Sequence, residues 1–244
     1  MAGLLLKLGG YAFIRILINL FPYGSVYISP LIVLSCATSI LYSSLIAIRQ
    51  DDIKKLIAYA SIAHMNYLCL GIFTGSIYGL AGALILMIAH GLVSSGLFMC
   101  AGFLYDRYQT RQIEYYGGLS SYMPIFSVFF FILSVGNFGF PLTVNFIGEL
   151  LILFGLVDMG FFTMLAAAIA LFFSVIYSMY SYNKITAGNT KTYIRKIKDV
   201  SIAEFNALFN LILLMLVFGI IPNSIINVCY MSLKFISIKF YGYV

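Results

Sequence analysis

The chain has 244 residues, 62% hydrophobic and only 9% charged, with mean hydropathy +1.02. A water-soluble domain of this size needs far more charged surface, and the net charge of +6 is distributed as a membrane topology rather than as a nucleic-acid surface. About 20 apolar residues cross a hydrocarbon core of about 30 Å. Seven stretches qualify, at residues 2–20, 28–48, 54–74, 77–104, 122–157, 161–183 and 204–223. They are too long and too evenly apolar for the alternating strands of a membrane barrel. The expected fold is all-α transmembrane.

The first stretch carries Lys7 and Arg15. Lys7 stands so near the start of the chain that snorkelling to the surface and a buried functional role are both open. Arg15 reaches toward the other interface. The third stretch opens on Asp51-Asp52-Ile53-Lys54-Lys55, where Lys54 reads as an interfacial anchor or as a group at a proton entrance. Farther along it lies His64, with Ser61 nearly one turn before it. The fourth holds His90 in mid-span, with Ser94 one turn on. A lone histidine in an apolar helix is usually a satisfied structural residue. Two at similar depth on neighbouring spans fit a proton relay, because imidazole titrates near neutral pH.

The fifth stretch has 36 residues and as one helix would run about 54 Å, longer than the bilayer even when tilted. Its middle reads Gly136-Asn137-Phe138-Gly139-Phe140-Pro141, so a break near Gly139–Pro141 is expected. Broken backbone at membrane depth is tolerated only inside protein or beside a water-filled cavity, and transporters build ion sites on such breaks. Glu149 follows two turns after Pro141, with Asn145 one turn before it. The nearest charged residues are Glu114 upstream and Asp158 downstream. A charge at that depth costs a few kcal/mol or more, so it persists with a partner or a task. Lys7, His64, His90 and Glu149 are therefore the candidate proton path, supported by Lys54, Ser61, Ser94 and Asn145.

Ten of the fourteen basic residues fall in the second, fourth and sixth connections, and the first, third and fifth hold none. That alternation fits seven spans with the basic side on the side of synthesis. Lys234 and Lys239 in the tail would lie opposite. Cys36, Cys69, Cys100 and Cys229 form no CxxC pair and read as small buried hydrophobes. With only two histidines and one carboxylate at depth, no metal is expected. No phosphate cradle, cysteine ligand set or nucleophile triad is visible, so the chemistry expected of this chain is ion movement.

Four runs carry a family resemblance. Gly3-Leu4-Leu5-Leu6-Lys7-Leu8-Gly9-Gly10-Tyr11, Arg49 through Met65, Leu86-Met87-Ile88-Ala89-His90-Gly91-Leu92 and Asn145-Phe146-Ile147-Gly148-Glu149-Leu150 resemble, in order and spacing, the subunit 4 family of mitochondrial NADH dehydrogenase, respiratory complex I. They run through most of residues 2–155; the tail beyond Lys184 is similar only in being hydrophobic. The resemblance implies a fold of fourteen helices with inverted five-helix repeats and broken seventh and twelfth helices. This chain would supply the eighth helix and a short loop (residues 1–27), the second repeat with the broken helix at 122–157 (28–184), a basic loop (185–203), and the last span with a tail (204–244). The family's axis lysine then falls on Lys7, its axis histidines on His64 and His90, and its helix-twelve acid on Glu149.

What the resemblance implies for function is a proton-translocating membrane-arm subunit, embedded in membrane lipid, with FMN, iron–sulfur clusters and ubiquinone used elsewhere in the complex and no cofactor held here. A full family member is about twice this length, so the expectation is a split subunit whose first half comes from a separate chain. Other complex I membrane-arm subunits would be the remaining partners. No presequence is visible, and high Phe, Tyr and Ile without Trp suits an organellar genome, so the expected place is the mitochondrial inner membrane. The alternatives are a subunit of a multisubunit cation/proton antiporter and a structural membrane-arm brace without its own proton path.

Overall fold

The computed structural model describes residues 3, 5–191 and 198–241, and every regular element among them is helical. The first stretch is α1 (Leu5–Ala12), a π-helical turn (Phe13–Leu17) that holds an exposed Arg15, and α2 (Ile18–Leu20). Then come α3 (Pro22–Ile48), α4 (Ile53–Phe73), α5 (Ile77–Tyr108), α6 (Pro124–Asn137), α7 (Val144–Leu156), α8 (Phe161–Thr186), α9 (Ile202–Ile220) and α10 (Asn223–Tyr241). Five of these, α3, α4, α5, α8 and α9, are each long and apolar enough to cross a bilayer. The break expected in the fifth stretch separates α6 from α7.

Two boundaries differ from the sequence reading. The polar run Pro22-Tyr23-Gly24-Ser25 is the first turn of α3 rather than a loop. Proline suits the first helical position because its missing N–H has no partner there anyway, and the Ser25 hydroxyl donates to the Pro22 carbonyl at 2.7 Å. The tail is also helical: α10 buries Leu233, Ile236 and Phe240 on one face. That amphipathic spacing is diluted, in any hydropathy average, by Lys234, Lys239 and the serines between.

The three basic connections meet at one end of the bundle. The Ile53 amide donates to the Arg111 carbonyl (3.0 Å) and Ile113 to Asp51 (2.7 Å), joining the second to the fourth. Gly118 donates to the Ala187 carbonyl at 2.9 Å, joining the fourth to the sixth. Arg107 grips both carboxylate oxygens of Glu204 at 3.0 and 2.6 Å, and Glu204 completes a capping box with Ser201 at the start of α9. The Asp199 carboxylate accepts the Ile125 and Phe126 amides (2.9 and 3.3 Å), capping α6. Arg195 and Lys196 of the basic loop lie outside the described residues. At the other end, Phe240 of α10 covers Gly75 between α4 and α5.

The spans α4 and α5 are the most enclosed, and they carry both histidines. Against them α7 packs backbone to backbone. A Cβ on Gly148 would stand 3.1 Å from the Leu86 amide nitrogen and 3.2 Å from the Gly82 carbonyl. Small residues let membrane helices approach this closely, and this approach carries the next residue, Glu149, into the centre of the bundle.

Candidate functional site

The four ionisable residues picked out in the sequence are all buried: Lys7 is 9% exposed, His64 3%, His90 1% and Glu149 3%. Lys7 does not snorkel. Gly3 lies over Gly91 and Ser95 of α5, and Gly10 lies against Met87 and Leu68. Lys7 is one turn before Gly10 and shares its face, so it looks onto the turn of α5 that bears His90. The His90 and His64 rings are stacked obliquely, with centroids 5.1 Å apart and planes at 40°. His64 Nδ1 in turn stands 3.4 Å from Glu149 Oε1. The order through the bundle is thus Lys7, His90, His64, Glu149, taken from four different elements.

The break places the acid. Gly139 has φ +67, a conformation that favours glycine. The Glu149 carboxyl folds back over it, so that a Cβ there would meet Glu149 Oε2 and stand 3.0 Å from Cδ. Asn145 ties the two half-helices together by donating to the Gly136 carbonyl at 2.8 Å. Tyr67, one turn after His64, donates its hydroxyl to the Glu149 carbonyl at 3.2 Å.

Several buried polar atoms in this region make no hydrogen bond of ordinary geometry among the described residues: His64 Nε2, His90 Nδ1, Ser94 Oγ, Asn145 Oδ1, Tyr177 Oη, and Glu149 Oε1 apart from its 3.4 Å contact with His64 Nδ1. Buried polar groups are normally satisfied, and a cluster of this kind is what water-mediated bonds serve. Ser94, one turn after His90, is one of these groups, and the Ser61 hydroxyl donates to the Ile57 carbonyl at 2.9 Å, which leaves its oxygen as an acceptor. Lys54 is exposed and lines a groove with Arg111 and Tyr105 that also takes in Ser95 and Gly3, the latter one turn before Lys7. No group of three or more His, Cys, Asp or Glu among the described residues is placed to share a metal ion.

Tyr67 and Tyr177 were not singled out from sequence. Tyr67 carried a usable signal, since it falls one helical turn from His64. Tyr177 lies in a polar stripe of α8 with Ser174, Ser178 and Ser181, spaced to share one helix face. Gly139 was read only as a helix breaker, and its contact with Glu149 depends on how the chain folds back.

Chemically, a buried cation and a buried anion at opposite ends of a two-imidazole bridge have equal total charge before and after a proton passes between them. Neither state buries a net charge, which is the condition under which such groups are tolerated in a membrane.

Residues 1–176 match the family model described as NADH:quinone oxidoreductase/Mrp antiporter, transmembrane. The chain is 44% identical over 233 residues to NADH-ubiquinone oxidoreductase chain 4 of Chondrus crispus, covering 95% of this chain and 47% of that protein. It is 41% identical over 241 residues to NADH-quinone oxidoreductase subunit M of Rickettsia prowazekii, covering 98% and 49%. Among solved structures, a chain of respiratory complex I from Thermus thermophilus with bound NADH superposes with TM-score 0.91 at 30% identity, over 96% of this chain and 50% of that one. The chain spans about half the length of the curated relatives it matches.

Proposed function

The chain belongs to the NADH:quinone oxidoreductase/Mrp antiporter transmembrane family, and on that premise we propose that it is a proton-translocating membrane-arm subunit of respiratory complex I. The observation that carries this reading is the buried row Lys7–His90–His64–Glu149, with its unpartnered polar atoms. Lys7 takes a proton from the first half of the fold. The histidines, with water at His90 Nδ1, Ser94 Oγ and His64 Nε2, pass it to Glu149. Glu149 gives it up on the far side. The groups titrate as one coupled set. Moving a proton against the membrane potential costs about 2.3 kcal/mol per 100 mV, and NADH:ubiquinone electron transfer through the FMN and iron–sulfur clusters of other subunits supplies that energy.

In this reading a separate chain supplies the first half of the fold, the half of the matched relatives' length that this chain does not span. The membrane is the mitochondrial inner membrane, with the basic connections facing the matrix. Likeness to proteins named as NADH oxidoreductase subunits favours this over a cation/proton antiporter.

The test is to purify the native assembly in mild detergent and identify its polypeptides by mass spectrometry. A large NADH-oxidising complex that includes a second chain similar to the first half of the relatives is expected. A small assembly without NADH oxidation would contradict the proposal.

A further inference from the structure

The proton row leaves the four cysteines unused, and two of them meet. The helices α3 and α4 are an antiparallel pair joined by residues 49–52. Cys36 lies about three turns before the end of α3, and Cys69 about four and a half turns after the start of α4, so their backbones differ in depth by about one turn. Each Cα–Cβ bond tilts toward the N-terminus of its own helix. In an antiparallel pair the two tilts oppose each other, and here they lean Cys36 and Cys69 toward one another. Both residues pack in the same apolar cluster, Cys36 within it and Cys69 against it. Their thiols stand within side-chain hydrogen-bond reach of each other.

The buried face of α3 is built largely of small residues, Ser25, Ser29, Cys36, Ser44 and Ala47 among them, and small residues let membrane helices approach closely. Close approach matters because a disulfide needs Cα atoms within about 7 Å. The two thiols are both free, Cys36 buried and Cys69 partly exposed. One sulfur can therefore be reached by a reagent while the other waits behind it. Cys100, by contrast, is fully buried in the other apolar cluster. Cys69 also lies about one turn from the end of α4 that points away from the basic connections. In the orientation proposed above, that end is remote from the matrix, and disulfides persist away from the thiol reductants of such a compartment.

We propose that Cys36 and Cys69 are an oxidisable dithiol, which a hydroperoxide converts to a disulfide that staples α3 to α4. Only the placement away from the matrix rests on the function proposed above; the meeting of the two thiols does not. The Cys69 sulfur attacks the terminal oxygen of the peroxide and the O–O bond breaks. The thiol proton goes to the departing oxygen, which leaves as an alcohol or as water, and Cys69 becomes a sulfenic acid. The Cys36 sulfur then attacks the Cys69 sulfur, the S–O bond breaks, and the hydroxide leaves as water with the Cys36 proton. Two thiols have lost two electrons and the peroxide has gained them. The staple falls just beyond Tyr67, which bonds the Glu149 carbonyl, and so fixes the part of α4 that touches the row.

The experiment exposes the assembled complex in proteoliposomes to hydrogen peroxide in one arm and to a phospholipid hydroperoxide in another, then quenches with acid. Free thiols are alkylated after denaturation, and any disulfide is reduced and labelled with a heavy form of the same reagent before mass spectrometry. Free Cys36 and Cys69 should be lost one for one in at least one arm, appear as a single cross-linked peptide, and return with dithiothreitol, while Cys100 stays free. The arm that oxidises them identifies the source of the peroxide. Cys36→Ser should abolish the cross-link and leave Cys69 as a sulfenic acid that dimedone traps. Retention of both free thiols in both arms overturns the proposal, even where copper–phenanthroline forces the bridge, because that shows proximity alone. Loss of Cys69 with Cys36 still free overturns it as well. If Cys36→Ser fails to assemble, the wild-type peptide map decides. The readout is thiol chemistry, so failure here leaves the proton row standing, and normal pumping by Glu149→Gln would remove the row and leave the dithiol.

Discussion

Replacing Gly139 with alanine perturbs the site without touching an ionisable group. A Cβ at this position meets Glu149 Oε2 and stands 3.0 Å from Glu149 Cδ, where ordinary carbon contacts are about 3.5–4.0 Å. The carboxyl must therefore retreat by roughly 1 Å. Holding alanine at φ +67 adds about 1–2 kcal/mol of backbone cost. A helical assembly locked by the α5–α7 contact should tolerate that cost. The carboxyl cannot tolerate the displacement so easily. It already sits at the edge of hydrogen-bond reach, 3.4 Å from His64 Nδ1, and a shift of this size at a reacting group costs about 10²-fold. The Gly139→Ala complex should assemble in normal amount on a native gel and build an NADH-driven proton gradient at about one-hundredth of the normal rate through this subunit. Full assembly with wild-type pumping would refute the argument that Gly139 seats the acid.

Other outcomes follow from the packing. Gly148→Ala presses a methyl group on backbone atoms at 3.1 and 3.2 Å that have no way to yield, and should lower the complex's thermal stability in detergent by about 1–3 kcal/mol; Gly102→Ala, with open space around it, should not. Arg107→Ala strips a two-pronged grip from Glu204 and should cost about 2 kcal/mol in the same assay, with Arg107→Lys recovering only part because an ammonium lacks the fork. Asp199→Ala uncaps α6 and should cost about 1 kcal/mol, only partly restored by Asp199→Asn, whose single side-chain oxygen replaces one of the two carboxylate oxygens that accept the Ile125 and Phe126 amides.

What could be read from the sequence divides along physical lines. Charges in apolar sequence stand out because a hydropathy profile is a one-dimensional measure of solvent, so Lys7, His64, His90 and Glu149 were visible as residues. Their order was not: it depends on which helix faces pair. Glycines at 10, 82 and 148 set those pairings through contacts far apart in sequence. The broken helix was legible because Gly139 and Pro141 act locally on the backbone. Tyr67 and Tyr177 were passed over because tyrosine counts as apolar in such profiles, although its hydroxyl is what matters here. The helix α10 was missed for the opposite reason: its lysines and serines mask three apolar residues that share one buried face.

The central claim is that protons pass through Glu149, and Glu149→Gln tests it most directly. Glutamine keeps the shape and the polar contacts of the side chain yet neither carries a proton nor a charge. The quantity to measure is protons translocated per NADH oxidised by the assembled, reconstituted complex. The account predicts intact assembly with a clear fall in proton translocation; an unchanged ratio at an unchanged rate of NADH oxidation would contradict it.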